Sequence, residues 1–163
     1  IAEIEEEMKN KFYATFQKIK EEFEHIFSDL FEGGEAELKL ESKDNLLETG
    51  IEINAQPPGK QLQKLSLMSG GEKALTATAL VFALLKVNPS PFYVLDELDA
   101  PLDDANVTRF ANYLTDLSDK AQFIVITHRK GTMEVADALY GVSMGNTGVS
   151  ELVSLETNQI AVS

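Results

Sequence analysis

Apolar residues fall at Ile1, Ile4, Met8, Phe12, Phe16, Ile19, Phe23, Ile26 and Leu30. The steps are threes and fours, so they form one stripe along a helix from the N-terminus to about residue 31. At 1.5 Å per residue such a helix is ~45 Å long, more than a small domain needs. An amphipathic core helix would explain the stripe. Its heptad-like spacing points further, to the end of a coiled coil running into a globular domain. His25, on the polar flank, reads as a surface residue.

Gly33-Gly34 ends the helix. Residues 36–41 and 50–56 alternate as half-buried strands do and are predicted to pair, and Pro57-Pro58-Gly59 stops the second. Residues 70–87 form a largely apolar helix, expected to be buried on most sides. A short apolar strand (91–97), an amphipathic helix (104–118), a continuous apolar strand (121–128) and a helix (130–139) follow. A run like 121–128 is typical of a parallel sheet covered on both faces. Residues 139–144 and 150–156 read as strands joined by a hairpin turn at Gly145-Asn146-Thr147-Gly148. The alternation of strand and helix gives an α/β class.

Composition narrows this. The 163 residues are 44% hydrophobic, enough for one domain with a core. There is no cysteine, which excludes disulfides and thiolate chemistry. No apolar run reaches the ~18 residues of a membrane span. The chain starts at Ile1 rather than Met and is expected to be a fragment. Its formal net charge of −13 should repel DNA unless the basic residues cluster.

Three stretches carry candidate chemistry. In the first, Ser69-Gly70-Gly71-Glu72 opens the helix at 70–87. Ser-x-x-Glu is a capping box, which accounts for Ser69 and Glu72. It does not account for two glycines in the first turn, each costing about 1 kcal/mol relative to alanine. Close approach of backbone to a ligand would explain them. In the second, the strand ending at Asp96-Glu97 is followed by Asp99, Asp103 and Asp104, five carboxylates within nine residues. Nucleotide hydrolases hold magnesium at such strand ends, one acid on the metal and the next on the attacking water. A solvated acidic loop, with Asp103 or Asp104 capping the next helix, is the plainer alternative, and both readings stay open. In the third, His128 ends the strand at 121–128, where α/β ligand sites gather, although a single His can simply satisfy a loop carbonyl. No G-x-x-x-x-G-K-[ST] phosphate loop occurs anywhere in the chain.

Order and spacing together are more specific. The Ser-Gly-Gly-Glu turn, the Asp-Glu strand about 25 residues later and the His strand about 30 after that resemble the C-terminal part of an ABC-type ATPase. Met68–Glu72 is similar to the ABC signature motif, Phe92–Asp96 with Glu97 to the Walker B strand, Asp99–Asp103 to the D-loop and His128 to the switch histidine. Residues 54–110 and 122–155 further resemble the C-terminal half of the head of a bacterial SMC (structural maintenance of chromosomes) protein. Pro101 stands where that family usually has a small residue such as Ala, and Asp99 and Asp104 where Glu is common. Residues 157–163 match nothing in the family.

The resemblance implies the C-terminal lobe of an ATPase head, a mostly parallel sheet with flanking helices. Residues 1–31 would be the coiled-coil end and the helix leading into the lobe, and 32–163 the lobe itself. It implies ATP and Mg2+, with Asp96 on the metal, Glu97 as general base or water-positioner, and His128 at the γ-phosphate. Ser69, Gly70, Gly71, Glu72, Asp99 and Asp103 would contact nucleotide, the signature residues in trans on the ATP of a second head. Implied partners are the N-terminal half of the same head, which holds the P-loop, a second SMC head, and a kleisin subunit. The kleisin would meet the hairpin strands Leu139–Met144 and Val149–Leu155, and DNA would be bound by the full complex. The implied setting is the bacterial cytoplasm, on the nucleoid, in chromosome condensation and segregation. Without a P-loop, the chain alone is expected to be inactive. A break-repair ATPase of the same superfamily, an ABC transporter nucleotide-binding domain and a purely kleisin-binding module are the alternatives.

Overall fold

In the computed structural model the described residues are 2–42, 45–145 and 148–156. Ile1, the middle of the predicted 145–148 turn and the tail from 157 lie outside them, as do the side chains of Leu155 and Glu156. The chain opens with α1 (Ala2–Phe31), then the strands β1 (Glu35–Leu40), β2 (Ile51–Gln56) and β3 (Gln63–Lys64). A short 3-10 turn leads into α2 (Gly70–Val87), and then come β4 (Phe92–Asp96), α3 (Asp104–Ser118) and β5 (Gln122–Ile126). One helical turn, α4 (Lys130–Met133), precedes the hairpin strands β6 (Ala138–Met144) and β7 (Ser150–Glu156).

The predicted long helix is present, and its two halves differ. Phe16, Phe23, Ile26, Phe27 and Leu30 are buried, whereas Ile4 and Met8 are 63% and 52% exposed. The second half is a core element, and the first runs out beyond the core. At its end Glu32 (φ 56°), Gly33 (φ 126°) and Gly34 (φ 80°) turn the chain back. Gly34 is required twice over, because a Cβ there would also sit 2.4 Å from the Gln56 carbonyl oxygen.

The core lies where α1 packs on α2 and β1, and α3 joins it from the side of β5. Leu75, Ala79, Phe82 and Ala83 of α2 face Val107, Phe110 and Leu114 of α3 within one cluster. Phe82 stacks on Phe110 at 5.6 Å and on Tyr113 at 5.0 Å. Burying each phenyl ring contributes about 1.5–3 kcal/mol. Burial also pushes the Tyr113 hydroxyl up to about 12.

β1 and β2 pair as predicted, and the pairing is antiparallel with Leu38 opposite Ile53. β4 and β5 pair in parallel, Asp96 opposite Ile126, with the α3 crossover between them. Three expectations need correction. Helix α2 is not buried on most sides: its buried residues run along one face, and Leu84 is exposed. Nor is the parallel pair covered on both faces. Phe92, Val94, Ile124 and Ile126 are 48–56% exposed, because only the side bearing Tyr93, Leu95, Phe123 and Val125 is packed. The helix predicted for 130–139 stops at Met133. Its last residues instead begin β6 at Ala138, where pairing with β7 supplies the backbone hydrogen bonds.

Candidate functional site

Ser69 stands in extended backbone just before α2 and closes the predicted capping box. The Glu72 carboxylate accepts from the Ser69 N–H at 3.3 Å and from its hydroxyl at 2.6 Å. The other oxygen of Glu72 lies 2.7 Å from the Lys60 ammonium. Lys60 first and Ser69 second hold this carboxyl below the ordinary carboxylate range. The helix start is therefore fixed by its own side chains.

The two glycines have no such internal reason. Neither has a positive φ. A Cβ on Gly70 would meet nothing within 4 Å, and one on Gly71 would meet only the Pro101 carbonyl oxygen at 4.0 Å. Neither conformation nor packing demands glycine. What the missing side chains leave is bare backbone at a helix N-terminus, where N–H groups lack intrahelical partners and the helix dipole favours an anion. The Gly71 contact also places the signature turn beside the D-loop.

Asp96 is exposed at the end of β4, and Glu97 follows it in the left-handed region at φ 51°. A non-glycine residue there costs of order 1–3 kcal/mol, and such strain clusters at functional sites. The Glu97 N–H donates to the Ile126 carbonyl at 2.9 Å, which ties the turn to the end of β5. His128, exposed, lies two residues beyond that strand. Asp96, Glu97 and His128 thus share the carboxyl edge of the parallel pair, the edge where α/β folds bind ligands.

Asp99 and Asp103 are placed differently. Asp99 is 1% exposed, turned inward onto the hydroxyls of Thr127 and Thr132 at 2.6 and 2.5 Å. Asp103 caps α3, accepting from the Asn106 N–H at 2.9 Å. Pro101 is accommodated, since the two turn bonds of the D-loop use the N–H groups of Ala100 and Leu102. Thr127, Arg129 and Thr132, which contact the D-loop, were not singled out from sequence. Thr127 beside His128 and Thr132 four residues after it were the available signal.

Among the described residues no group of three His, Cys, Asp or Glu side chains could hold a metal ion alone. Magnesium usually takes one or two carboxylates with water and phosphate oxygens. Asp96, exposed at the end of β4, has the chemistry to supply one such carboxylate.

The family model described as RecF/RecN/SMC N terminal domain matches residues 2–151. The chromosome partition protein Smc of Halothermothrix orenii is 63% identical over 159 residues, which are 98% of this chain. The chain belongs to the SMC family. It spans only 13% of the length of that relative. A solved chain from work on ATP-driven dimerisation and DNA-stimulated activation of SMC ATPases is 49% identical with a TM-score of 0.83, covering 93% of this chain and 94% of that one. An Smc head domain with an extended coiled coil, from Pyrococcus furiosus and bound to the C-terminal domain of ScpA, is 50% identical with a TM-score of 0.87. That likeness covers 98% of this chain and 40% of the other. The α/β fold and the long first helix are those of an SMC head.

Proposed function

We propose that this chain is the C-terminal half of an SMC ATPase head, completing an ATP site that spans two heads. The bare backbone at Gly70 and Gly71, open where the protein itself has no use for glycine, carries this reading. Residues 1–31 would be the coiled-coil end and the helix leading into the lobe. Ser69 and the first-turn N–H groups contact the γ-phosphate of ATP held by the second head, and Glu72 holds Ser69 in place. Asp96 holds Mg2+, usually through water. When bound, that ion neutralises the charge on the phosphates. Glu97 orients or deprotonates the attacking water from its strained turn, and His128 reaches the γ-phosphate. The exposed Phe92, Val94, Ile124 and Ile126 form the face that the N-terminal half of the head covers. Hydrolysis releases the heads, and the cycle drives chromosome condensation and segregation on the bacterial nucleoid in the cytoplasm. With a charge of −13, this lobe leaves DNA binding to the rest of the complex.

The test uses the full-length protein. Glu97→Gln should retain ATP binding and lose turnover by about 10²–10⁴-fold, leaving the heads engaged. Normal turnover in that variant would remove Glu97 from the chemistry.

The kleisin surface is proposed on β6 and β7. Tyr140, Val142 and Met144 of β6 share one face with Leu152 of β7, opposite Val142, and all four are at least 66% exposed. The likeness to a head bound to the C-terminal domain of ScpA supports a protein partner for this half of the head.

A further inference from the structure

We propose that Asp99 is a positioning residue for His128: a buried latch through which the D-loop sets the histidine. The inference rests on the ATPase reading above. Asp99 Oδ2 accepts from the Thr127 hydroxyl at 2.6 Å and the Thr132 hydroxyl at 2.5 Å. The Thr127 hydroxyl oxygen in turn accepts from the Arg129 N–H at 2.9 Å. Both chain neighbours of His128 are therefore tied, directly or through one hydroxyl, to a single carboxylate of the D-loop. A second strap runs the other way. The Arg129 guanidinium donates to the Leu102 carbonyl and to the Asp104 carboxylate, each at 2.8 Å.

The magnitudes differ. Asp104 is fully exposed, so its ion pair with Arg129 contributes little. Asp99 and Thr132 are 1% and 3% exposed, and buried hydrogen bonds to a charged acceptor are the strong ones. Packing fixes the far end as well. A Cβ on Gly131 would sit 3.0 Å from a Val107 methyl, so α4 rests closely on α3. His128 itself stays exposed while residues on both sides of it are held.

Asp99 Oδ1 is buried with no hydrogen-bond partner among the described residues. An unpaired buried acceptor lowers stability, which suits a functional contact better than a purely structural one. Pro101 and Asp103 are the exposed part of the same loop. A second head pressing on them displaces Asp99, and with it Thr127, Arg129 and the His128 ring. Turnover then follows engagement of the heads.

The test again uses the full-length protein. Thr132→Val removes one hydroxyl without changing side-chain size and should lower kcat roughly 10- to 100-fold, with KM for ATP unchanged. Thr132→Ser, which keeps the hydroxyl, should restore the rate. In a His128→Ala background Thr132→Val should have no further effect, because the latch acts only through the histidine. Thr127→Val repeats the test from the other hydroxyl if Thr132→Val does not fold. Wild-type kcat in folded valine variants, or an undiminished loss in the His128→Ala background, would overturn the latch. Absence of ATP turnover in the unaltered full-length protein would instead overturn the ATPase reading, so the two failures are distinguishable.

Discussion

An alanine at position 70 would meet no atom within 4 Å. In a helix it should stabilise the fold by up to about 1 kcal/mol. If the site at the start of α2 must admit a phosphate, the same methyl crowds the ligand. Gly70→Ala is therefore expected to raise the chain's midpoint in chemical denaturation and to weaken ATP-dependent head dimerisation in the full-length protein. A stabilised variant that dimerises normally would mean that the glycine serves no ligand. Residue identity was legible in the sequence here, and its cause was not. Two glycines in a helical first turn marked the place, but only the surrounding open space separates a ligand's need from a packing need. Asp99 is the converse case. Its acid neighbours were visible, but its inward turn depends on Thr127 and Thr132, 28 and 33 residues away in sequence.

Elements with local signals were readable to the residue. The N-terminal bounds of α2 and α3 follow from their caps, Ser69 in a capping box with Glu72 and Asp103 accepting from the Asn106 N–H. Residues 134–139 carried no such signal; helix α4 ends at Met133, and Ala138 and Leu139 pair with β7 instead. That hairpin offers its own test. Leu152, 66% exposed, lies among Tyr140, Val142 and Met144, so a charge there has little packing to disrupt. Leu152→Asp should leave circular dichroism unchanged and abolish capture of the kleisin's C-terminal domain. Retained capture by the folded variant would move the interface elsewhere.

At the scale of the whole molecule, the sequence pattern of β5 anticipated a second covering layer. The strand reads as buried on both faces, yet Ile124 and Ile126 are exposed in this chain. On the reading proposed above the N-terminal half of the head supplies that layer, and a periodicity cannot say which polypeptide supplies the cover. The same holds for α1, whose stripe continues through exposed Ile4 and Met8 past the end of the core. The central claim is that this lobe serves an ATP bound elsewhere, and Ser69→Arg tests it most directly. The arginine places a bulky cation at the start of α2, where the other head's phosphate must sit. ATP affinity of single heads should stay near that of the unaltered protein, while sedimentation should show no ATP-dependent dimer. Loss of ATP affinity in single heads would contradict an ATP site completed in trans.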